Sequence, residues 1–295
     1  HKLSTKKAKQ CKLNKPLSGI PFSCKDLFHV KGQKTTGGSQ VLENKISDKD
    51  AFVIHLLEEA GAILQGKNNL HEFAYGATGV NTYYGTVTNP YDTTRLAGGS
   101  SSGSAAAVAL GMSAFSLGTD TGGSVRAPAA LCGVVGFKPT LGKVSLQGVI
   151  PYCWTLDHVG TFTRTVKDAA LVFDVISQYD AQDSSCVNAP SEPSLNTLDT
   201  PLNGMKIGVP NNFFFEHCDP EILVATNSAI KKLKELGAHI VNIDMPSLEH
   251  SRTVSLTVQL PEALSVHSDL LKDHKDKYSD EFKSGFATGQ FILAD

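Results

Sequence analysis

"AFSLGTDTGGSVRAPAALCG", residues 114–133, decides the reading of the chain. "AFSLGTDT" has the apolar, β-favouring character of a strand, and "SVRAPAALCG" reads as a helix that leaves it. Between them stand Gly122 and Gly123, suited to a sharp turn because glycine tolerates positive φ and close crowding. A strand that runs into a diglycine turn and straight out into a helix displays one hydroxyl, that of Ser124. This is the setting of a nucleophile, but a serine hydroxyl is weak at neutral pH and needs a base. No histidine stands nearer than His71 upstream and His158 downstream.

Outward from this point, helix and strand signals alternate. "SSSGSAAAVALGM" (100–112) reads as a helix of small residues that packs closely, "GVVGFKPT" (133–140) as a strand and "VKDAALVFDVISQ" (166–178) as a helix. Upstream, "LSGIPFSCKDLFHVKG" (17–32) is a short buried strand running into a loop. "DKDAFVIHLLEEAGA" (48–62) is a helix capped by Asp48 or Asp50 and stopped by Gly61, and "AILQGK" is the strand after it. Downstream, "MKIGVP", "PEILVATNSAIKKLKELG" and "AHIVNID" form a β-α-β unit, with Ile222, Thr226, Ala229/Ile230 and Leu233 on one helix face; the last 40 residues are helical in character. The pattern predicts an α/β fold: a mixed, largely parallel central sheet covered by helices on both faces. The expected organisation is a single domain over 1–295, incomplete at its C-terminal end, with the polar, proline-bearing stretch 180–204 as a surface excursion or linker. The chain opens at His1 and stops at Asp295 without a closing signal, which reads as a fragment.

Composition narrows the class. With 295 residues, 41% hydrophobic and 19% charged, the chain is globular. A net charge of −2 gives no global reason to expect nucleic acid as a partner. Six scattered cysteines without a C-x-x-C pair, and no N-x-[ST] sequon, read as reduced thiols in a cytoplasmic compartment. No apolar run is long enough to span a membrane. The basic N-terminus (Lys2, Lys6, Lys7, Lys9, Lys12, Lys15) reads as a solvated helix or frayed end rather than an anionic-surface anchor.

Three short motifs fail on inspection. "GAILQGKN" (61–68) nearly matches a phosphate-binding loop, but Asn68 replaces the Mg²⁺-binding hydroxyl and the interior is strand material. "GSSSG" (99–103) matches a nucleophile elbow in letters only, because turn-forming "TNPYDTTRLAG" precedes it instead of a strand. His71-Glu72 opens like a zinc motif, but Tyr75 stands where the second histidine is needed, and no metal or cofactor is expected.

Taken together, "GIPFSCKDLF", "GKNNLHEFAYGATGVNTYYGTVTNPYD" (66–92), "LAGGSSSGSAAAVALG" (96–111), "GTDTGGSVRAPAALCGVVGFKPT" (118–140) and "LDHVGTFTRTVKDAALVFDVI" (156–176) closely resemble the amidase signature family. The resemblance covers roughly residues 17 to 210 and implies a Ser–Ser–Lys triad that works without histidine. By position it makes Ser124 the acylated nucleophile, Ser100 the bridging serine on a cis peptide, and Lys25 the terminal base. It also makes the N–H groups of Thr121, Gly122, Gly123 and Ser124 the oxyanion hole. The implied activity is hydrolysis of a small-molecule amide; the alternatives are a glutaminase A subunit of a tRNA-dependent amidotransferase, with nucleic acid and protein partners, or a non-catalytic member keeping the fold. His71 and "ATGVNTYYG" look more like stand-alone amidases, with a homodimer as a further expectation.

The chemistry stands apart from the resemblance. A lysine at its free pKa of about 10.4 is protonated at pH 7, and desolvation lowers that value by up to roughly 3–5 units. Lys25 lies among Pro21, Phe22, Cys24, Leu27 and Phe28, as a desolvated base requires, and in an extended segment Asp26 faces the other way. Arg126 and Asp120 read as an ion pair or caps holding the loop, and Asp157 as part of the same scaffold.

Overall fold

A computed structural model describes residues 14–189 and 193–292 of the chain. The basic N-terminal run up to Lys12 therefore lies outside the described residues. The rest divides into two compact units, one of residues up to Leu195 together with 258 onward, the other Asn196–Thr257.

The first unit is built on a five-stranded sheet of β1 (Pro21–Lys25), β2 (Ile63–Asn68), β3 (Phe115–Asp120), β4 (Val135–Phe137) and β5 (His158–Thr163), in the order β2-β1-β3-β5-β4. β1 pairs in parallel with β2 and β3, and β5 pairs antiparallel with β3 and β4, so only β5 runs against the other four. The mixed, largely parallel sheet is as expected. β5 itself was not legible: "HVGTFT" carries two threonines and a glycine that the sheet buries only by placing the strand between β3 and β4.

Alternation along the strands sorts side chains between two layers. Phe22, Cys24, Phe115, Leu117 and Val159 form one layer with Val53, Ile54 and Leu57 of α1 (Phe52–Glu59) and Val172 and Ile176 of α4 (Val166–Ile176). On the other side, Phe162 packs with Ala105 and Val108 of α2 (Ser102–Ala109) and with Val125 and Ala129 at α3 (Arg126–Leu131). Helices thus cover both faces. The α2 face is polar close to β1: Asn68 Nδ2 donates to Ser23 Oγ (2.9 Å) and Ser116 Oγ (3.0 Å), and Ser104 Oγ donates to the Leu117 carbonyl (2.9 Å). Small residues along α2 allow this close approach, and it is the layer into which Lys25 projects.

Three local readings change. α1 has Ala51 at its N-cap without a side-chain cap; Asp50 Oδ1 instead accepts from the Lys31 N–H at 2.7 Å. α2 starts at Ser102 rather than Ser100, with Ser101 at its N-cap. The stretch 180–204 is not wholly an excursion: Asp180 is buried and accepts from Ser145 Oγ (2.7 Å), Asp183 Oδ2 accepts from the Leu146 N–H (2.7 Å), and the Val187 N–H donates to the Gly142 carbonyl (2.8 Å).

After β2 the chain turns through Phe73 and Ala74, consecutive non-glycine residues with φ of +47° and +65°. The left-handed region costs about 1–2 kcal/mol per such residue. Burial of both side chains in an aromatic cluster offsets this: the Phe73 ring lies 4.4 Å from that of His267 and 5.4 Å from that of Phe282. His267 and Phe282 come from the two C-terminal helices, α6 (Ser251–His274) and α7 (Asp280–Gly289).

The second unit contains the predicted β-α-β: β6 (Lys206–Pro210) and β7 (His239–Ile243) pair in parallel, with α5 (Pro220–Glu235) between them in sequence. Asp219 caps α5 by accepting from the Glu221 N–H, and Pro220 stands in its first turn. Leu223, Thr226, Ile230 and Leu233 form its half-buried face, whereas Ile222, expected there, is 57% exposed. No helix among the described residues is long and apolar enough to cross a membrane.

Candidate active site

Lys25 ends β1 and is completely buried. Its Nζ donates to Ser100 Oγ at 2.7 Å and to Thr119 Oγ1 at 2.8 Å. Burial lowers its pKa from 10.5 to about 7, against the opposing pull of Asp157 and Asp120. A base of that pKa is substantially neutral at physiological pH. Asp26 does face away: its carboxylate pairs with Lys67 Nζ at 2.5 Å and accepts from the Thr36 N–H at 3.0 Å.

Thr119 stands inside the quoted stretch 118–140, but no role was read for it from the sequence. Its contribution is geometric. A neutral amine has one lone pair and two N–H bonds, so an acceptor for one N–H turns the lone pair toward the remaining partner, here Ser100. Thr119→Val keeps the shape and removes the acceptor; it is expected to lower kcat/KM roughly 10-fold or more, with Thr119→Ser near the parent, measured by steady-state amide hydrolysis. Equal activity of the Val variant would rule out the orienting role.

Ser100 is buried on its cis peptide, and the neighbouring Ser101 ties the two serine segments together: its N–H donates to the Ser124 carbonyl at 3.3 Å, and its Oγ donates to the Thr119 carbonyl at 3.1 Å. Ser124 itself is half-buried at the end of the turn. Lys25 and Ser100 are thus in direct contact, and the Ser124 backbone is tied to the Ser100 segment through the Ser101 N–H.

The turn is held from beneath by Asp120, which is fully buried. Asp120 accepts from the N–H groups of Gly123 (2.8 Å) and Val125 (3.0 Å), and Arg126 grips it with Nε at 3.0 Å and Nη2 at 2.9 Å. Burial opposes the Asp120 charge, but the Arg126 guanidinium and the two N–H donors outweigh it and hold the carboxyl below its ordinary range. Arg126 and Asp120 are therefore the expected structural pair. One consequence corrects the expected oxyanion hole: the Gly123 N–H is spent on Asp120, which leaves Thr121, Gly122 and Ser124 of the four. Gly123 has φ +127°, a conformation that L side chains rarely adopt, and the Gln259 side chain of α6 approaches Gly122, at 3.3 Å from where a Cβ would stand.

Asp157 belongs to the same scaffold. It accepts from Thr121 Oγ1 and from the N–H groups of Tyr152 (2.8 Å) and Cys153 (3.0 Å), so it ties the diglycine turn to the loop before β5. Burial still pushes its carboxyl above the usual range. Asp157 and Thr119 line a cavity of about 380 Å³ whose other walls include Leu27, Ala74, Ile150 and Trp154. Neither nearby histidine sits in the relay: His158 Nδ1 donates to the Leu156 carbonyl at 2.7 Å, and His71 Nε2 lies 3.2 Å from Glu281. No metal-binding cluster occurs among the described residues.

The family model described as Amidase matches residues 2–290. The A subunit of glutamyl-tRNA(Gln) amidotransferase from Nitratidesulfovibrio vulgaris is 46% identical over 254 residues, which is 85% of this chain and 52% of that protein. The solved structure of the corresponding A subunit from Thermotoga maritima superimposes with a TM-score of 0.83 at 34% identity, over 98% of this chain and 66% of that one. Native peptide amidase from Stenotrophomonas maltophilia gives 0.81 at 32% identity, over 92% and 57% of the two chains. The chain spans about half the length of the curated relatives it matches.

Proposed function

The chain belongs to the amidase signature family, and we propose that it cleaves a carboxylic amide C–N bond through an acyl-enzyme on Ser124. Neutral Lys25 takes the proton of Ser100 Oγ as Ser100 takes that of Ser124, and Ser124 Oγ bonds to the amide carbon. Charge then develops on the former carbonyl oxygen, and the N–H groups of Thr121, Gly122 and Ser124 are the donors assigned to it; each such donor is typically worth about 2.7–4 kcal/mol of barrier. On collapse the C–N bond breaks and the relay returns its proton to the leaving nitrogen, which departs as ammonia or an amine. Water, deprotonated by the same relay, releases the acid and restores Ser124.

The observation that carries this reading is the buried Lys25 Nζ, lowered to a pKa of about 7 and 2.7 Å from Ser100 Oγ. A fluorophosphonate is expected to label the full polypeptide at Ser124, identified by mass spectrometry of the peptide carrying it. Labelling elsewhere, or none, contradicts the assignment and favours a non-catalytic member of the family.

A finer reading follows from identity. Curated relatives named as the A subunit of glutamyl-tRNA(Gln) amidotransferase reach 46% identity, which favours glutamine as the amide donor and a place in a multi-subunit enzyme. His71 and the "ATGVNTYYG" run favour a stand-alone amidase instead. A panel of glutamine, short aliphatic, aryl and long-chain amides separates the two: hydrolysis confined to glutamine, and dependent on partner proteins, supports the amidotransferase reading. Turnover of simple amides by the protein alone removes it. A cytoplasmic location is proposed from the cysteines, of which Cys24, Cys132, Cys153, Cys186 and Cys218 are free thiols.

A further inference from the structure

The left-handed turn at Phe73 and Ala74 folds residues 71–79 back on themselves and presses them, backbone on backbone, against the segment that carries Ser100. The His71 N–H donates to the Ser100 carbonyl at 3.1 Å. A Cβ on Gly99 would stand 2.6 Å from the Gly79 nitrogen and 3.1 Å from the Gly76 carbonyl oxygen, so glycine is required where the two strips of chain meet. The His71 imidazole fills the inside of the fold, 2.3 Å from where a Cβ on Gly76 would stand. On its inner side, therefore, this turn has little freedom except to move together with Ser100.

Its outer side is held by α7. His71 Nε2 lies 3.2 Å from Glu281 Oε2. Glu72, the next residue, accepts from the N–H of Ser279, the N-cap residue of α7, at 3.0 Å and from Ser39 Oγ at 2.5 Å. Tyr75 places its hydroxyl 2.2 Å from where a Cβ on Gly285 would be. Three anchors thus join α7 to a strip of chain that holds the Ser100 backbone. Glu72 is buried and Tyr75 half-buried. The third ends on Glu281, whose side chain is 55% exposed while that of His71 is 4% exposed.

We infer that Glu281 is a positioning residue for Ser100, acting through His71: it fixes the imidazole, the imidazole fixes the turn, and the turn fixes the carbonyl of the relay serine. The inference rests on the reading of Ser100 as a proton relay. Displacement of a reacting group by about 1 Å from a distant change can cost on the order of 100-fold in rate, which gives this chain of contacts a measurable consequence. An exposed carboxylate with only a local surface role would have none.

The test uses Glu281→Ala and Glu281→Gln in the full polypeptide, assayed for kcat, KM and melting temperature. Glu281→Ala is expected to lower kcat about 10-fold or more with KM nearly unchanged and the melting temperature within about 3 °C of the parent. Glu281→Gln retains an acceptor for the imidazole and is expected to restore most of the rate. Adding Glu281→Ala to His71→Asn is expected to cost little beyond His71→Asn alone, since the two act in series. A kcat for Glu281→Ala equal to that of the parent overturns the inference, as does a fall that only follows the fraction unfolded, or fully additive effects. Activity surviving in Ser124→Ala would instead overturn the reaction scheme, so the two failures are distinct.

Discussion

Ser124→Ala is expected to abolish amide turnover, with kcat reduced about 10⁴- to 10⁶-fold and the fold intact. The size of the loss follows from the mechanism's dependence on a covalent intermediate: without Ser124 Oγ, the relay from Lys25 has no nucleophile to activate, and only binding and the oxyanion donors remain. The fold is expected to survive because Ser124 is half-buried and is held by main-chain contacts that alanine keeps: the Ser101 N–H donates to its carbonyl, and Asp120 secures the flanking Gly123 and Val125. Circular dichroism together with steady-state hydrolysis decides the matter. Turnover equal to the parent in the alanine variant would end the assignment of the nucleophile.

The second large effect belongs to Lys25. A base whose pKa is lowered to about 7 by burial works only when deprotonated, so kcat/KM is expected to rise with pH through a midpoint near 7 and then level off. Lys25→Ala removes the base and is expected to cost roughly 10²- to 10⁴-fold, with partial recovery at high pH where hydroxide substitutes. The same shift has a thermodynamic signature. Between about pH 7 and 10.5 the unfolded chain holds one more proton at this site than the native chain. Stability therefore rises with pH in that window, by about 1.4 kcal/mol per unit, and is insensitive to this group below it. The readable part of the window ends near pH 8.5. Above it, the native state keeps Cys24 and Cys153 protonated, with pKa values raised to about 12, while the unfolded thiols ionise, and stability is drawn down again. Urea denaturation from pH 7.5 to 8.5, above the range where unfolded histidines titrate, is expected to show a rise in the parent that Lys25→Met lacks. A flat profile in both would mean that the native amine titrates as a free lysine and could not serve as the base.

Most of the central sheet was legible because its strands announce themselves locally. β1, β2 and β3 are short runs bounded by glycine, proline or turn residues, and the paired glycines 122 and 123 mark the turn. β5 was not legible, because threonine and glycine in "HVGTFT" acquire strand character from neighbours on both sides rather than from their own pattern. The α5 face was misread by one residue, Leu223 replacing Ile222, since a helix covered on one narrow side does not reveal from periodicity alone which apolar residue leads. Stretch 180–204 looked like linker by composition; the carboxylates of Asp180 and Asp183 bind it back to residues 145 and 146, and such polar anchors leave no hydrophobic trace.

Local chemistry along the chain points to the atoms ready for reaction: one hydroxyl in a diglycine turn, a serine-rich run, and a lysine among apolar neighbours. Whether that lysine can act as a base depends on the assembled fold. Its two partners lie 75 and 94 residues away along the chain, on the serine segment and on β3, and its pKa is set by the solvent that the packed layers exclude. The same holds for the donors around Ser124, where Asp120 claims one N–H of the turn and leaves the others. Desolvation and hydrogen-bond competition are properties of a site assembled from distant segments, and no single stretch of chain contains them.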